Sequence, residues 1–230
     1  MNKLFIAIAG NVGVGKSALT AKLAEHFNWT PFYEAVDDNP YLSDFYQDMQ
    51  RWSFHSQIYF LSRRLRHHKD LIRHPNHVVQ DRTVYEDAEI FAQNLYRQGN
   101  MRARDYASYR ELYEVMVELL PPPNLMIYLK AGVPTLMRRI AKRGRDFERD
   151  ISPDYLTQLN GFYNNWIDSF TLCPVLTIDA DRLNFVRSKA DFEEIAGQIT
   201  NNAGNYSAIE KIGATHFTKR PASANFDDIG

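Results

Sequence analysis

A chain of 230 residues with 44% hydrophobic content carries enough apolar side chain to bury a full core as one domain. Its formal charge of -1, from 27 Lys and Arg against 28 Asp and Glu, supplies no overall field for nucleic acid or an anionic membrane, so any basic site must be local. The single cysteine, Cys173, excludes an internal disulfide and suits a reducing compartment.

The first apolar run, Leu4 to Ala9, is too short to span a bilayer and lacks a small-residue cleavage site; it reads as a strand, and the protein as cytoplasmic. Similar runs recur at Pro31 to Tyr33, His77 to Gln80, Leu125 to Leu129 and Val175 to Ile178. They are continuous rather than alternating, which predicts strands covered on both faces and therefore a parallel sheet. Between them, Ala18 to Phe27, Tyr41 to Ile72, Tyr85 to Tyr96 and Tyr106 to Leu120 carry apolar residues at helical spacing, and Pro121-Pro122-Pro123 stops the last of these. Alternating strand and helix signals give a doubly wound α/β domain over 1–200. From Asn201 to Gly230 the periodicity gives way to Asn, Gly, Ser and scattered charge, which predicts a polar tail.

The segment Gly10-Asn11-Val12-Gly13-Val14-Gly15-Lys16-Ser17 matches G-x-x-x-x-G-K-[ST] and lies between the first strand and the helix that Ala18 continues. Glycines there let backbone N–H groups turn toward phosphate oxygens, and the helix N-terminus adds partial positive charge at the same point. Lys16 is expected on the β- and γ-phosphates of a nucleoside triphosphate and the Ser17 hydroxyl on Mg²⁺. The loop fixes the donor but not the reaction, which GTPases, ATPases and small-molecule kinases share.

An acceptor hydroxyl needs a carboxylate near the γ-phosphate, best placed at the C-terminal edge of a strand. Glu34 closes the run Pro31-Phe32-Tyr33 and precedes a turn-rich stretch, so it is the candidate base. Three further segments accompany it: Asp37 to Leu42 leading into Tyr46 and Arg51 to Arg64; Gln80-Asp81-Arg82-Thr83-Val84-Tyr85-Glu86-Asp87; and Arg143-Gly144-Arg145-Asp146-Phe147-Glu148.

Together with the phosphate loop, these segments closely resemble the deoxynucleoside kinase family, especially bacterial deoxyadenosine and deoxyguanosine kinases, over about residues 1–200. The resemblance implies a P-loop kinase fold with an arginine-rich lid, ATP and Mg²⁺ as cofactors, a deoxynucleoside as substrate, and a homodimer through the long helices. It assigns Glu34 as catalytic base, Arg82 as the arginine that holds base and phosphate in register, and Asp81 as the acidic neighbour of Mg²⁺. Thr83 stands where serine is common and keeps the hydroxyl. Gln57 aligns with the amide that pairs with the nucleobase edge, and Arg64 with Asp87 as the pair that accompanies purine or cytosine recognition. Tyr46 and Glu148 align with the sugar 3′-hydroxyl pair, and Phe54 and Phe91 are candidate stacking walls.

The densest basic run, Arg138 to Arg145, follows Pro134 at a helix start, and the resemblance makes it the lid, with Arg139 and Arg143 four apart on one helix face and Gly144 at its end. The loop after the last strand, with Asp179, Asp181 and Arg182, corresponds to the segment that packs on the donor adenine. A nucleoside monophosphate kinase would need arginines to grip an acceptor phosphate, where Gln57, Tyr46 and aromatics stand instead. A non-catalytic subunit of the same fold would not need Lys16, Ser17, Glu34 and Arg82 together. Among acceptors, deoxyadenosine leads, with deoxyguanosine and deoxycytidine open.

Overall fold

The computed structural model describes residues 3–33, 39–145, 148 and 151–204. Five parallel strands form the sheet: β1 (Phe5–Gly10), β2 (Thr30–Phe32), β3 (Val78–Asp81), β4 (Leu125–Lys130) and β5 (Val175–Asp179), in the order β2-β3-β1-β4-β5. All six residues of β1 are buried, because it is paired on both edges, Ile6 with Val79 and with Leu125, and covered on both faces. This is the structural reason for its uninterrupted apolar sequence. Side chains alternate between two cores: Ile6, Ile8, Val79 and Ile127 point to one, Phe5, Ala7, Val78 and Met126 to the other.

Helices cover both faces: α1 (Lys16–Phe27), α2 (Leu42–Gln47), α3 (Met49–Arg73), α4 (Val84–Glu86), α5 (Gln93–Arg97), α6 (Ala103–Glu118), α7 (Val133–Arg143), α8 (Pro153–Ser169) and α9 (Lys189–Gly204). Two differ from the sequence expectation. The single helix expected over Tyr41 to Ile72 is broken at Asp48, whose backbone leaves helical geometry and whose carboxylate caps α3 by accepting from the Arg51 N–H at 3.1 Å. The helix expected over Tyr85 to Tyr96 contains a π-helical segment, Asp87–Ala92, joining α4 to α5. Such a widening turns side chains by an extra residue and recurs at functional sites. Here it carries both Asp87 and Phe91. The last helix extends to Gly204, taking in the first four residues of the expected polar tail.

With β1 central and the chain crossing to β3 on one side and β4 on the other, a crevice opens at the carboxyl ends of these strands.

Candidate active site

A cavity of about 1500 Å³ occupies that crevice. One end is walled by residues 12–18 of the phosphate loop. Gly10 has φ +145, and a Cβ there would lie 2.6 Å from the Leu129 carbonyl; Gly13 has φ +80, with Ile140 2.7 Å from its would-be Cβ. Only glycine satisfies both the dihedral and the approach. Asn11 ties the loop to α8 by donating to the Leu156 carbonyl at 3.1 Å and to Asn160 Oδ1 at 2.9 Å, while its own Oδ1 accepts from the Val12 N–H. Lys16 Nζ rests on the carbonyls of Gly10 and Asn11, at 2.7 and 3.3 Å, at the head of α1.

β3 ends beside this loop. Asp81 is buried, its Oδ2 accepting from the Ser17 hydroxyl at 2.5 Å, while its Oδ1 has no hydrogen-bond partner among the described residues. A buried carboxylate oxygen left without a donor, next to a hydroxyl at the phosphate loop, is a donor set that fits a hard cation such as Mg²⁺. Arg82 turns the chain with φ +64, unusual for a residue with a side chain, and its guanidinium lies 4.4 Å from the Phe91 ring centre. Thr83 and Glu86 then form a capping box at the start of α4.

Glu86 is fully buried. Its Oε2 accepts from the Thr83 N–H at 2.9 Å, and its Oε1 from the Gly10 N–H at 3.2 Å and the Tyr163 hydroxyl at 2.8 Å. Burial pushes its carboxyl above the ordinary range, opposed first by Lys16 and then by Arg82.

The other end of the cavity is walled by Tyr46, Gln57, Arg82, Asp87, Phe91 and Glu148. Gln57 projects from α3 and is buried. Two turns on, Arg64 donates from Nε to Asp87 Oδ2 at 3.0 Å; both side chains are buried, Asp87 in the cavity wall and Arg64 behind it. Partial burial, then the Glu148 carboxylate, raises the Tyr46 hydroxyl above its usual range. Phe54 differs from expectation: it packs on the core beneath α3 and does not line the cavity. Phe45, Phe60 and Tyr155 supply aromatic wall instead, alongside Phe91. Glu34 lies outside the described residues.

In α7, Pro134 sits in the first turn and Gly144, at φ +69, closes the helix with its N–H on the Ile140 carbonyl. Arg143 and Arg139 both line the cavity but are engaged differently. Arg143 grips Glu148, whereas Arg139 donates to two backbone carbonyls, Val14 in the phosphate loop and Ala180 after β5, each at 2.7 Å. Asp181 Oδ2 accepts from the Gly132 N–H at 2.8 Å, Asp179 Oδ1 accepts from the N–H groups of Asp181 and Arg182, and Arg182 pairs with Glu194. The side chains of these three residues therefore shape the loop, and of the three only Asp181 lines the cavity.

Sequence reading passed over Glu86, Tyr163 and Tyr155. The pattern Thr83-x-x-Glu86 was a visible capping-box signal, but nothing in it told that the carboxylate reaches Gly10, 76 positions away. Tyr163 and Tyr155 carry no local signal, since their roles arise where α8 crosses the loop.

A family model described as deoxynucleoside kinase matches residues 6–203. The chain is 40% identical over 198 residues to the deoxyadenosine/deoxycytidine kinase of Bacillus subtilis (strain 168), covering 85% of this chain and 91% of that one. It is 36% identical over 199 residues to the same organism's deoxyguanosine kinase, covering 85% and 95%. A solved structure of deoxyadenosine kinase from M. mycoides with the products dCMP and dCDP superposes with a TM-score of 0.76 at 32% identity, over 86% of this chain and all of that one. With a phosphate loop at one end of its cavity and a wall including Gln57 and the Arg64-paired Asp87 at the other, the chain belongs to the deoxynucleoside kinase family.

Proposed function

We propose that this kinase transfers the γ-phosphate of ATP to the 5′-hydroxyl of a deoxynucleoside, with deoxyadenosine the favoured acceptor and deoxyguanosine and deoxycytidine its competitors. The carrying observation is one continuous cavity with a phosphate-loop wall including Lys16 and Ser17 and an uncharged-ligand wall including Gln57 and Tyr46. A side-chain amide offers donor and acceptor to a base edge, and a buried Arg–Asp pair favours ring acceptors over a thymine methyl. The Bacillus subtilis relatives, named for deoxyadenosine, deoxycytidine and deoxyguanosine, support the same acceptor class.

In this reading Glu34 takes the 5′-hydroxyl proton, and Arg82 and the lid arginine Arg143 offset charge on the transferring group, so transfer is direct and in line. Lys16 leaves its carbonyl partners for the phosphates. Ser17 and Asp81 would hold Mg²⁺, which supplies charge neutralisation of the phosphate oxygens when bound. Arg139, with its guanidinium on Val14 and Ala180, acts by clamping the phosphate loop against the donor-base loop. Tyr46 and Glu148 take the 3′-hydroxyl. The enzyme acts in the cytoplasm as a homodimer, for which Leu112, Val115 and Leu119 supply an exposed apolar stripe along α6.

The test is a labelled-ATP assay against the four deoxynucleosides and adenosine, with and without Mg²⁺. Transfer to deoxyadenosine at the highest kcat/KM is expected. Thymidine as best acceptor, or phosphorylation only of monophosphates, would overturn the assignment.

A further inference from the structure

We infer that Glu86 is a positioning residue of the donor site: its buried carboxylate anchors the root of the phosphate loop to the Asp81-Arg82-Thr83 turn. A capping-box glutamate ordinarily serves its own helix from the surface, and one oxygen is enough for that. Glu86 instead has no exposed surface, and only Oε2 does the local work at Thr83. Oε1 is committed to the Gly10 N–H, 76 positions away, and is braced by the Tyr163 hydroxyl from α8. A buried carboxylate is costly and is retained where its hydrogen bonds cannot be replaced by packing.

The Gly10 peptide is held at both ends. Its N–H points to Glu86, and its carbonyl accepts from Lys16 at 2.7 Å. Gly10 is also the residue at which β1 becomes the loop, with a dihedral only glycine adopts. Fixing this peptide fixes where the following N–H groups point. Because Thr83 follows Arg82 directly, the same carboxylate also fixes the turn that presents Arg82 to the cavity. Preorganised donors of this kind lose effectiveness when their frame can move.

A glutamine has the same shape but one acceptor oxygen and one donor nitrogen where four donors converge, the Gly10 N–H, the Thr83 N–H and hydroxyl and the Tyr163 hydroxyl, so in Glu86→Gln at least one of them loses its partner. Charge acts in the opposite direction. Deleting an anion near Lys16 and Arg82 would by itself strengthen attraction for phosphate. The sign of the change therefore separates anchoring from charge compensation.

The inference rests on the kinase reading, and the experiment tests the two separately. Wild type and Glu86→Gln are titrated with Mg-ADP and with the deoxynucleoside that wild type phosphorylates, and both are assayed for kcat and each KM. Anchoring predicts ADP binding weakened about tenfold and kcat lowered about tenfold or more, with nucleoside affinity within about twofold. Unchanged or tighter ADP binding overturns it, as does an equal loss for both ligands. Tyr163→Phe, which keeps the carboxylate and removes one brace, is expected to weaken ADP binding about threefold and decides the matter if the glutamine variant does not fold; unchanged ADP affinity there overturns the inference. Wild type that binds no ADP would sink the kinase reading instead.

Discussion

Arg143 holds Glu148 through two hydrogen bonds, Nε to Oε2 at 2.9 Å and Nη2 to Oε1 at 2.5 Å, with Arg145 Nη1 3.6 Å from the same carboxylate. Arg143 belongs to the end of α7, while Glu148 is buried in the wall near Tyr46. The pair thus joins the element proposed to close over the donor to the one proposed at the acceptor sugar. Arg143→Ala should raise KM for ATP and for the deoxynucleoside together, each about tenfold, and lower kcat. Initial-rate kinetics with both substrates varied provide the check; a change confined to ATP would show that the contact does not join the two sites.

For the proposed base, Glu34→Gln should lower kcat by a few hundredfold while ATP affinity stays within about twofold, since general-base catalysis contributes on the order of 10²–10⁴. Single-turnover rates and an ATP titration measure the two quantities separately. Wild-type turnover would remove Glu34 from this role.

The Arg64–Asp87 pair has side chains only 7% and 6% exposed, so removing one partner takes this ion pair from the other in a desolvated site. Arg64→Met or Asp87→Ala alone should destabilise by about 3–5 kcal/mol, and the double replacement by clearly less. Denaturant melts of the three variants form the cycle. The double variant should also gain thymidine relative to deoxyadenosine, and an unchanged substrate ranking would show that the pair does not select the base.

His68 supplies the pH dependence. It is buried on α3, its Nε2 3.1 Å from the Pro121 carbonyl and its ring edge-on to Phe5. Burial lowers its pKa to about 4 from the ordinary 6.5. Because the fold keeps the ring neutral, the unfolded chain binds the proton first. The contribution is therefore complete above about pH 6.5 and is lost as pH falls toward 4, to the extent of about 3 kcal/mol. Unfolding free energies at several pH values should show this slope, and His68→Leu should flatten it.

The α6 stripe is a test of assembly. Leu119 is 79% exposed and Val115 55%, with Leu112 one turn before Val115 and on the same face. Val115→Glu with Leu119→Glu should convert a dimer to a monomer in light scattering without unfolding it, because neither side chain contributes to the core. A variant that remains dimeric would place the interface elsewhere.

Much of this protein was legible in one dimension. The strand at Leu4 to Ala9 followed by Gly10 to Ser17 required no tertiary knowledge, because a phosphate cradle needs glycines, a lysine and a helix start in consecutive positions. The five apolar runs, their parallel sheet and the helix ending at Gly144 were equally readable, since each depends on periodicity or on a dihedral that few residues adopt. The tertiary structure decided what depends on crossings between distant segments. Asp48 breaks what reads as one helix, because a local cap outcompetes propensity. The π turn at Asp87–Ala92 sets where Asp87 and Phe91 point, and Phe54 goes to the core while Phe45 and Phe60 reach the cavity. The sequence determined the donor loop because its geometry is local; the tertiary structure decided the partners of Glu86, Arg139 and Arg143, because buried polar groups must find donors and acceptors wherever packing brings them.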